Sequence, residues 1–258
     1  MITSNQNSKI KLVRALLGRA KERREAGAFV AEGVRLVEEA VNANWSCRFA
    51  LYDETLSERG RSQVESLRSR GVDVEEVSAS VMKSISETEA PQGILAVLEA
   101  TQLPIPNSSN FILIPDQIRD PGNLGTLLRS AAASGVQAVL IPPETTDAFA
   151  PKVLRSGMGA HFRLPIHSMS WDEIGKSVVG LQVFVADMDG LSCWEMDLRQ
   201  PVCLIVGNEA EGASESARKL ANGKISIPMS GETESLNAGV AGSVLMFEVM
   251  RQRAVNSE

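Results

Sequence analysis

Three short segments in the second half of the chain concentrate residues able to hold a ligand or act on one. The first spans residues 116–129, DQIRDPGNLGTLLR. Its Pro121-Gly122 pair makes a turn, and Asn123 is expected to cap the helix that follows. Gly125 permits close backbone approach, and Arg129, placed beyond the cap, has a side chain long enough to reach back toward the loop. The second, residues 206–212, reads VGNEAEG. An apolar strand runs into Gly207, where a ligand can lie against bare backbone, and the carboxylate of Glu209 is held near the sheet edge. The third, residues 225–241, reads ISIPMSGETESLNAGVA. Here Ile227-Pro228-Met229 forms an apolar patch, and Ser235 and Asn237 flank Leu236 at a helix start. The small residues Ala238, Gly239, Ala241 and Gly242 then call for close backbone packing. Taken singly, each segment has a plainer reading: a capped helix with a surface arginine, a turn with solvated acids, a helix packed on a sheet or subunit.

These loops need a scaffold that brings them together. Strands are expected at 111–114, 136–141, 182–186, 202–206 and 225–227, and helices at 123–134, 150–157, 214–221 and 236–255. Alternation of this kind predicts a mainly parallel sheet covered on both faces, with ligands bound beyond the carboxyl ends of the strands. The first hundred residues alternate as well. Helices are expected at 12–21, 34–41, 56–69 and 81–86, and strands at 29–30, 47–51, 72–77 and 94–98, which makes a small α/β domain. Between the two lies ATQLPIPNSSN, residues 100–110, rich in Pro, Ser and Asn and without periodicity. The organisation read from the chain is therefore a domain at 1–99, a linker at 100–110 and a second domain at 111–258.

Composition narrows the functional classes. The 258 residues are 43% hydrophobic and only 4% aromatic, so the core is aliphatic. No apolar run approaches the roughly 18–20 residues of a membrane span, and the polar start MITSNQNSKIK lacks the apolar stretch of a signal peptide. Cys47, Cys193 and Cys203 are scattered without CxxC spacing, and His161 and His167 cannot build a metal site by themselves. Free thiols in a reducing, cytoplasmic compartment follow, with no metal. The net charge of −6 leaves room for a local basic surface. One is offered by Lys9, Lys11, Arg14, Arg19, Lys21, Arg23 and Arg24, which face Glu22 alone within the first 24 residues; a solvated helix face is the other reading. Dinucleotide, P-loop and nucleophile-elbow fingerprints are missing from the sequence.

In order and spacing the three segments resemble the SpoU branch of the SPOUT methyltransferases, also called the TrmH family. Asn123-Leu124-Gly125 through Arg129 is similar to the family's first motif, Gly207-Asn208-Glu209 through Gly212 to its second, and Ile227-Pro228-Met229 with Ser235-Leu236-Asn237 to its third. The N-terminal ITSNQNSKIK and Phe29-Val30-Ala31-Glu32-Gly33 resemble the L30e-like substrate-binding domain that precedes the catalytic domain in many members. The resemblance implies an α/β catalytic domain with a parallel sheet and a C-terminal trefoil knot. It also implies a homodimer and S-adenosylmethionine bound around Gly207, Ile227, Met229 and Leu236. Arg129, Asn123, Glu209, Ser235 and Asn237 are implied to form the reactive site of an RNA ribose 2′-O-methyltransferase. Arg129 then serves either as proton acceptor or as a charge that steadies the oxygen. Ribosomal RNA is expected over tRNA, with a binding-only ribosome-assembly protein as the rival from another class. Lys9, Lys11, Arg14, Arg23 and Arg24 are the expected RNA contacts. Two departures stand out: Asn237-Ala238-Gly239 replaces the family's Asn-Val-Ser, and Gly157 sits in the Arg155–Ala160 stretch where another small residue is usual.

Overall fold

A computed structural model describes residues 1–230 and 235–254. The chain folds into two compact units, one of Met1–Thr101 with Phe149–Phe162, the other of Gln102–Ala148 with Arg163–Glu258. Segment Phe149–Phe162 thus packs with the first unit, although by sequence it lies within the second half of the chain.

The first unit contains α1 (Ser8–Gly18), α2 (Ala20–Ala26), β1 (Ala28–Glu32), α3 (Val34–Asn42), β2 (Cys47–Tyr52), α4 (Glu58–Ser69), β3 (Asp73–Glu76), α5 (Ala79–Ser84) and β4 (Ile94–Glu99). Its sheet runs β1-β4-β2-β3, with β4 antiparallel to both neighbours and β3 parallel to β2. Side chains alternate across the pleat. Phe29, Ala31, Ile94, Ala96 and Leu98 join α3 and α4 in one core, while Ala28, Val30, Leu95 and Val97 join α1 and α5 in another. The single helix expected at 12–21 is two, broken at Arg19, whose backbone is extended (φ −133°). Arg23 explains the ending: it is buried, and its Nη1 donates to the carbonyls of Leu16 (2.6 Å) and Leu17 (3.4 Å) that the end of α1 leaves open.

The chain continues with β5 (Phe111–Pro115), α6 (Pro121–Ser134), β6 (Ala138–Ile141), α7 (Pro151–Gly157), β7 (Ile166–Ser168), α8 (Trp171–Ser177), β8 (Gln182–Ser192), β9 (Val202–Val206), α9 (Glu215–Leu220), β10 (Gly223–Ser226) and α10 (Ala238–Ala254). Of these, α7 belongs to the first unit. The second unit's six strands pair in the order β10-β8-β9-β5-β6-β7, every pair parallel. The central strands FILIP and VCLIV are buried throughout, as a sheet covered on both faces requires. Strand order reverses between β5 and β9, and the loops leaving their carboxyl ends are the first two of the three segments. Strand β7 and helix α8 have no counterpart among the expected elements. The former is three residues long, too short to show a period. The latter carries a readable signal, Ser170 and Glu173 in a reciprocal capping box. The final helix starts at Ala238 rather than 236, and Val255, the expected end, lies outside the described residues.

Helices α6 and α10 pack against each other through small residues. A Cβ on Gly242 would lie 2.3 Å from Leu127 Cδ2 and 3.1 Å from Val206 Cγ2, and Ser130 and Ser243 share a hydroxyl hydrogen bond of 2.7 Å. The close packing expected of the Ala238–Gly242 surface is therefore realised against α6 and β9. The three cysteines are free thiols.

Candidate active site

The first loop is anchored at its start by Asp116, the residue after β5. Its carboxyl group is fully buried, and Oδ2 accepts from Ser214 N at 2.6 Å, while Oδ1 has no hydrogen-bond partner among the described residues. Burial pushes this carboxyl above the usual range; hydrogen bonding from Ser214 opposes the shift and the charge of Glu144 adds to it. Gln117 follows in a left-handed conformation (φ 53°), with Nε2 on Glu144 Oε2 at 3.0 Å and its carbonyl accepting from Asn208 Nδ2 at 3.1 Å. The cap of α6 is Asp120, not Asn123: its side chain accepts from Asn123 N at 2.9 Å, and Pro121 takes the first helical position. Proline's fixed φ starts the helix earlier and moves Asn123 into the first turn, which frees its amide for another contact.

That contact is Glu209. Asn123 Nδ2 donates to Glu209 Oε1, which also accepts from Asn237 Nδ2 (3.0 Å) and from Ala238 N (3.2 Å). Asn237 Nδ2 reaches Asn123 Oδ1 at 2.9 Å, and Asn237 Oδ1 accepts from Val240 N at 3.2 Å, capping α10. One carboxylate and two amides, drawn from all three segments, form a closed cluster whose four hydrogen-bonding arms fix the relative positions of the loops. Glu209 belongs to a tight turn in which Asn208 N meets Gly212 O at 3.0 Å and Gly212 N meets Asn208 O at 2.9 Å. Gly207 is required there, because a Cβ would stand 2.5 Å from both Ala213 N and Gly212 C.

Beside the cluster opens a cavity of about 350 Å³. Gly207, Ile227, Met229 and Leu236, all expected around the cofactor, line it, and so do Glu209 and Ser235. Sequence reasoning missed Ala186, Asp187 and Met188 from β8 and the α10 residues Ala241 and Leu245. The strand expected at 182–186 continues to Ser192 as β8, and its extension beyond Ala186 is mostly polar and carries no apolar run that signals a strand. The walls are main chain, small residues and aliphatic side chains; the rim carries Asp187, paired with Lys224 Nζ at 2.9 Å, and Arg218. The Lys224 hydrogen bond holds the Asp187 carboxyl below its ordinary range. The size and the mostly apolar, backbone-rich lining fit an elongated nucleoside with a polar end.

Arg129 is not part of the cluster. It lies on the exposed side of α6, without a hydrogen-bond partner among the described residues. Six helical residues separate it from Asn123, which is about 9 Å of rise and roughly 120° around the axis. Among the described residues, no group of three or more His, Cys, Asp or Glu is arranged to hold a metal.

Residues 110–247 match the SpoU rRNA Methylase family, and residues 7–96 match the MRM3-like substrate binding domain. The chain belongs to the SpoU rRNA methylase family. It is 32% identical to a 23S rRNA (uridine(2479)-2'-O)-methyltransferase of Streptomyces viridochromogenes, over 97% of this chain and 92% of that one. It is 34% identical to the 23S rRNA (guanosine(2553)-2'-O)-methyltransferase RlmP of Bacillus subtilis, over 96% and 98%. The crystal structure of the SpoU methyltransferase AviRb from Streptomyces viridochromogenes in complex with AdoMet superposes with a TM-score of 0.84 at 30% identity, covering 97% of this chain and all of that one. As a SpoU family member the chain has its three motif segments where the fold gathers them, around one cavity at the carboxyl ends of parallel strands.

The expected RNA contacts divide. Lys11, Arg14 and Arg24 are exposed. Lys9 is paired with Asp73 and Glu75; partial burial pulls its ammonium down, and the two carboxylates outweigh that and raise it. Contrary to the expectation, Arg23 is not a surface cation: its buried guanidinium closes the end of α1 and offers no surface to RNA.

Proposed function

We propose that this protein transfers a methyl group from S-adenosylmethionine to a ribose 2′-hydroxyl of ribosomal RNA. The observation that carries the reading is the Asn123–Glu209–Asn237 cluster beside the 350 Å³ cavity, with Glu209 in the cavity's lining, in a chain of this family. Gly207, Ile227, Met229 and Leu236 would hold the cofactor, which would supply a methyl group carried on a positively charged sulfur. Glu209, tied to both asparagines, keeps the three loops in register, and Ser235 at the cavity wall orients the ribose. Arg129 acts through its charge rather than as a base, because a guanidinium is a poor proton acceptor; it steadies negative charge developing on the 2′-oxygen.

The same reading includes a homodimer. Helix α10 exposes Val240, Val244, Phe247 and Met250 along one side, 38–46% accessible and spaced as one helical face. An apolar stripe of this kind favours burial against a second copy. The dimer explains the position of Arg129, which acts on the cluster of the partner subunit rather than its own. The reading also includes a cytoplasmic location and a trefoil knot in the C-terminal segment. Residues 1–99 are the RNA-binding domain and 100–110 the linker; 111–258 are the catalytic region, which lends Phe149–Phe162 to the first compact unit.

The test is Arg129→Ala. Methyl transfer to ribosomal RNA is expected to fall at least about a hundredfold, in the range of a lost charge-stabilising donor, while calorimetric affinity for S-adenosylmethionine stays within twofold. Near-normal turnover removes Arg129 from the chemistry. RNA binding without any methyl incorporation by the parent protein points instead to a binding-only protein.

A further inference from the structure

The first unit holds a cavity of about 260 Å³ that shares no residue with the cofactor site. Its walls come from the β1–α3 junction, the loop before β4 and the end of α7. They are built rather than incidental. Glu32 is buried, and its carboxylate accepts from Ser86 Oγ, Thr88 Oγ1 (2.9 Å) and Glu87 N (3.2 Å), which pins the loop that contributes Thr88 to the wall. Gln92 Oε1 accepts from Val34 N at 2.8 Å, and Gly33 adopts φ +96°, a conformation suited to glycine.

Two guanidinium groups line this cavity. Arg155 is held by Glu87 at 3.4 Å and stays 31% accessible. Arg35, at the start of α3, is exposed and makes no hydrogen bond among the described residues. Between them Ala90 and Thr88 give a small-residue wall with hydroxyl lone pairs, and the Gln92 amide keeps its N–H donors available. Arginine planes that stack on a base or grip a phosphate, beside amide and hydroxyl groups able to read a base edge, are the chemistry by which proteins hold an unstacked nucleotide. The basic N-terminal segment is a weaker candidate, because Lys9 is engaged by two carboxylates, Arg14 by Asn5 and Ser84, and Arg23 by the end of α1.

We propose that this cavity takes one unpaired nucleotide of the substrate RNA, read for recognition by Arg35, Arg155, Thr88 and Gln92. The inference rests on the chain being an RNA methyltransferase. Ala90 is exposed at the cavity wall, so Ala90→Trp fills the space without changing charge, and Arg35→Ala removes a cation without disturbing the pinned loop. The probe is an unmethylated ribosomal RNA fragment that the parent protein methylates, titrated by fluorescence anisotropy; cofactor affinity and thermal denaturation are measured on the same samples. Each variant is expected to bind RNA about tenfold more weakly, with cofactor affinity and melting temperature unchanged. RNA affinity within twofold of the parent in both variants overturns the proposal. So does normal RNA binding combined with poor methylation of ribosomal particles, which assigns the cavity to a protein partner. Failure of the parent protein to methylate any ribosomal RNA is a separate result and refutes the function rather than the cavity.

Discussion

Replacing Gly207 by alanine tests whether the second loop is held as tightly as its geometry requires. The added Cβ would lie 2.5 Å from Ala213 N and Gly212 C and 2.7 Å from Gly212 O, where ordinary contact begins at 3.4 Å. These neighbours are backbone, so no side chain can swing away. The loop must retreat by about 0.9 Å, the difference between 3.4 and 2.5 Å. It is tied by the paired Asn208–Gly212 hydrogen bonds of 3.0 and 2.9 Å and by Ser214 N on the buried Asp116 at 2.6 Å. Overpacking of this kind costs roughly 1–3 kcal/mol. Since Gly207, Glu209 and Gly212 line the cavity, a displaced loop is read as about 5- to 150-fold weaker cofactor binding. Strain that remains in the free protein is read as a lower melting temperature. Calorimetric titration with S-adenosylmethionine and thermal denaturation together capture both. A Gly207→Ala protein with parental affinity and parental melting temperature refutes the claim that this loop is rigid and part of the site.

Other perturbations follow from the same geometry. Gly242→Ala puts a Cβ 2.3 Å from Leu127 Cδ2, and urea denaturation should show a loss of about 1–3 kcal/mol from the α6–α10 contact. Glu209→Ala leaves Asn123 and Asn237 without their shared acceptor; the maximal methylation rate is expected to fall at least about tenfold while the protein still melts cooperatively, because the three groups are exposed enough to find water. Asp116 has a carboxyl raised by burial, so its neutral form is favoured in the fold. Its contribution to stability is full below the ordinary carboxylate pKa of about 3.9 and is lost as pH rises through the raised native value. Denaturation of parent and Asp116→Asn between acid and neutral pH is therefore expected to show the parent losing ground to the variant as pH increases; a pH-independent difference contradicts a carboxyl raised by burial.

What could be read from the chain beforehand depended on how local the physics is. FILIP and VCLIV declare themselves as buried strands because every side chain is apolar, and the three loops at strand ends carry glycines and polar groups that a parallel sheet places together. Local competition was harder to read. Asn123 is an adequate cap, but Asp120 followed by Pro121 is a better start and displaces it. Non-local geometry could not be read at all. Nothing in the sequence near Arg23 says that it folds back onto Leu16, and nothing near Phe149–Phe162 says that the segment packs with the first unit. The motif residues were legible as a set, whereas their partition was not. Three of them meet through hydrogen bonds, Ser235 lines the cavity, and Arg129 stands apart on the outer side of α6 because the helical repeat turns it away from Asn123.

The central claim is tested most directly by incubating the purified protein with radiolabelled S-adenosylmethionine and ribosomal RNA from cells that lack it, then locating the label. The account predicts label in ribosomal RNA, in a nucleotide whose 3′ linkage resists alkaline hydrolysis because its ribose oxygen is methylated. Label on a base, label confined to tRNA, or no transfer to any RNA would contradict it.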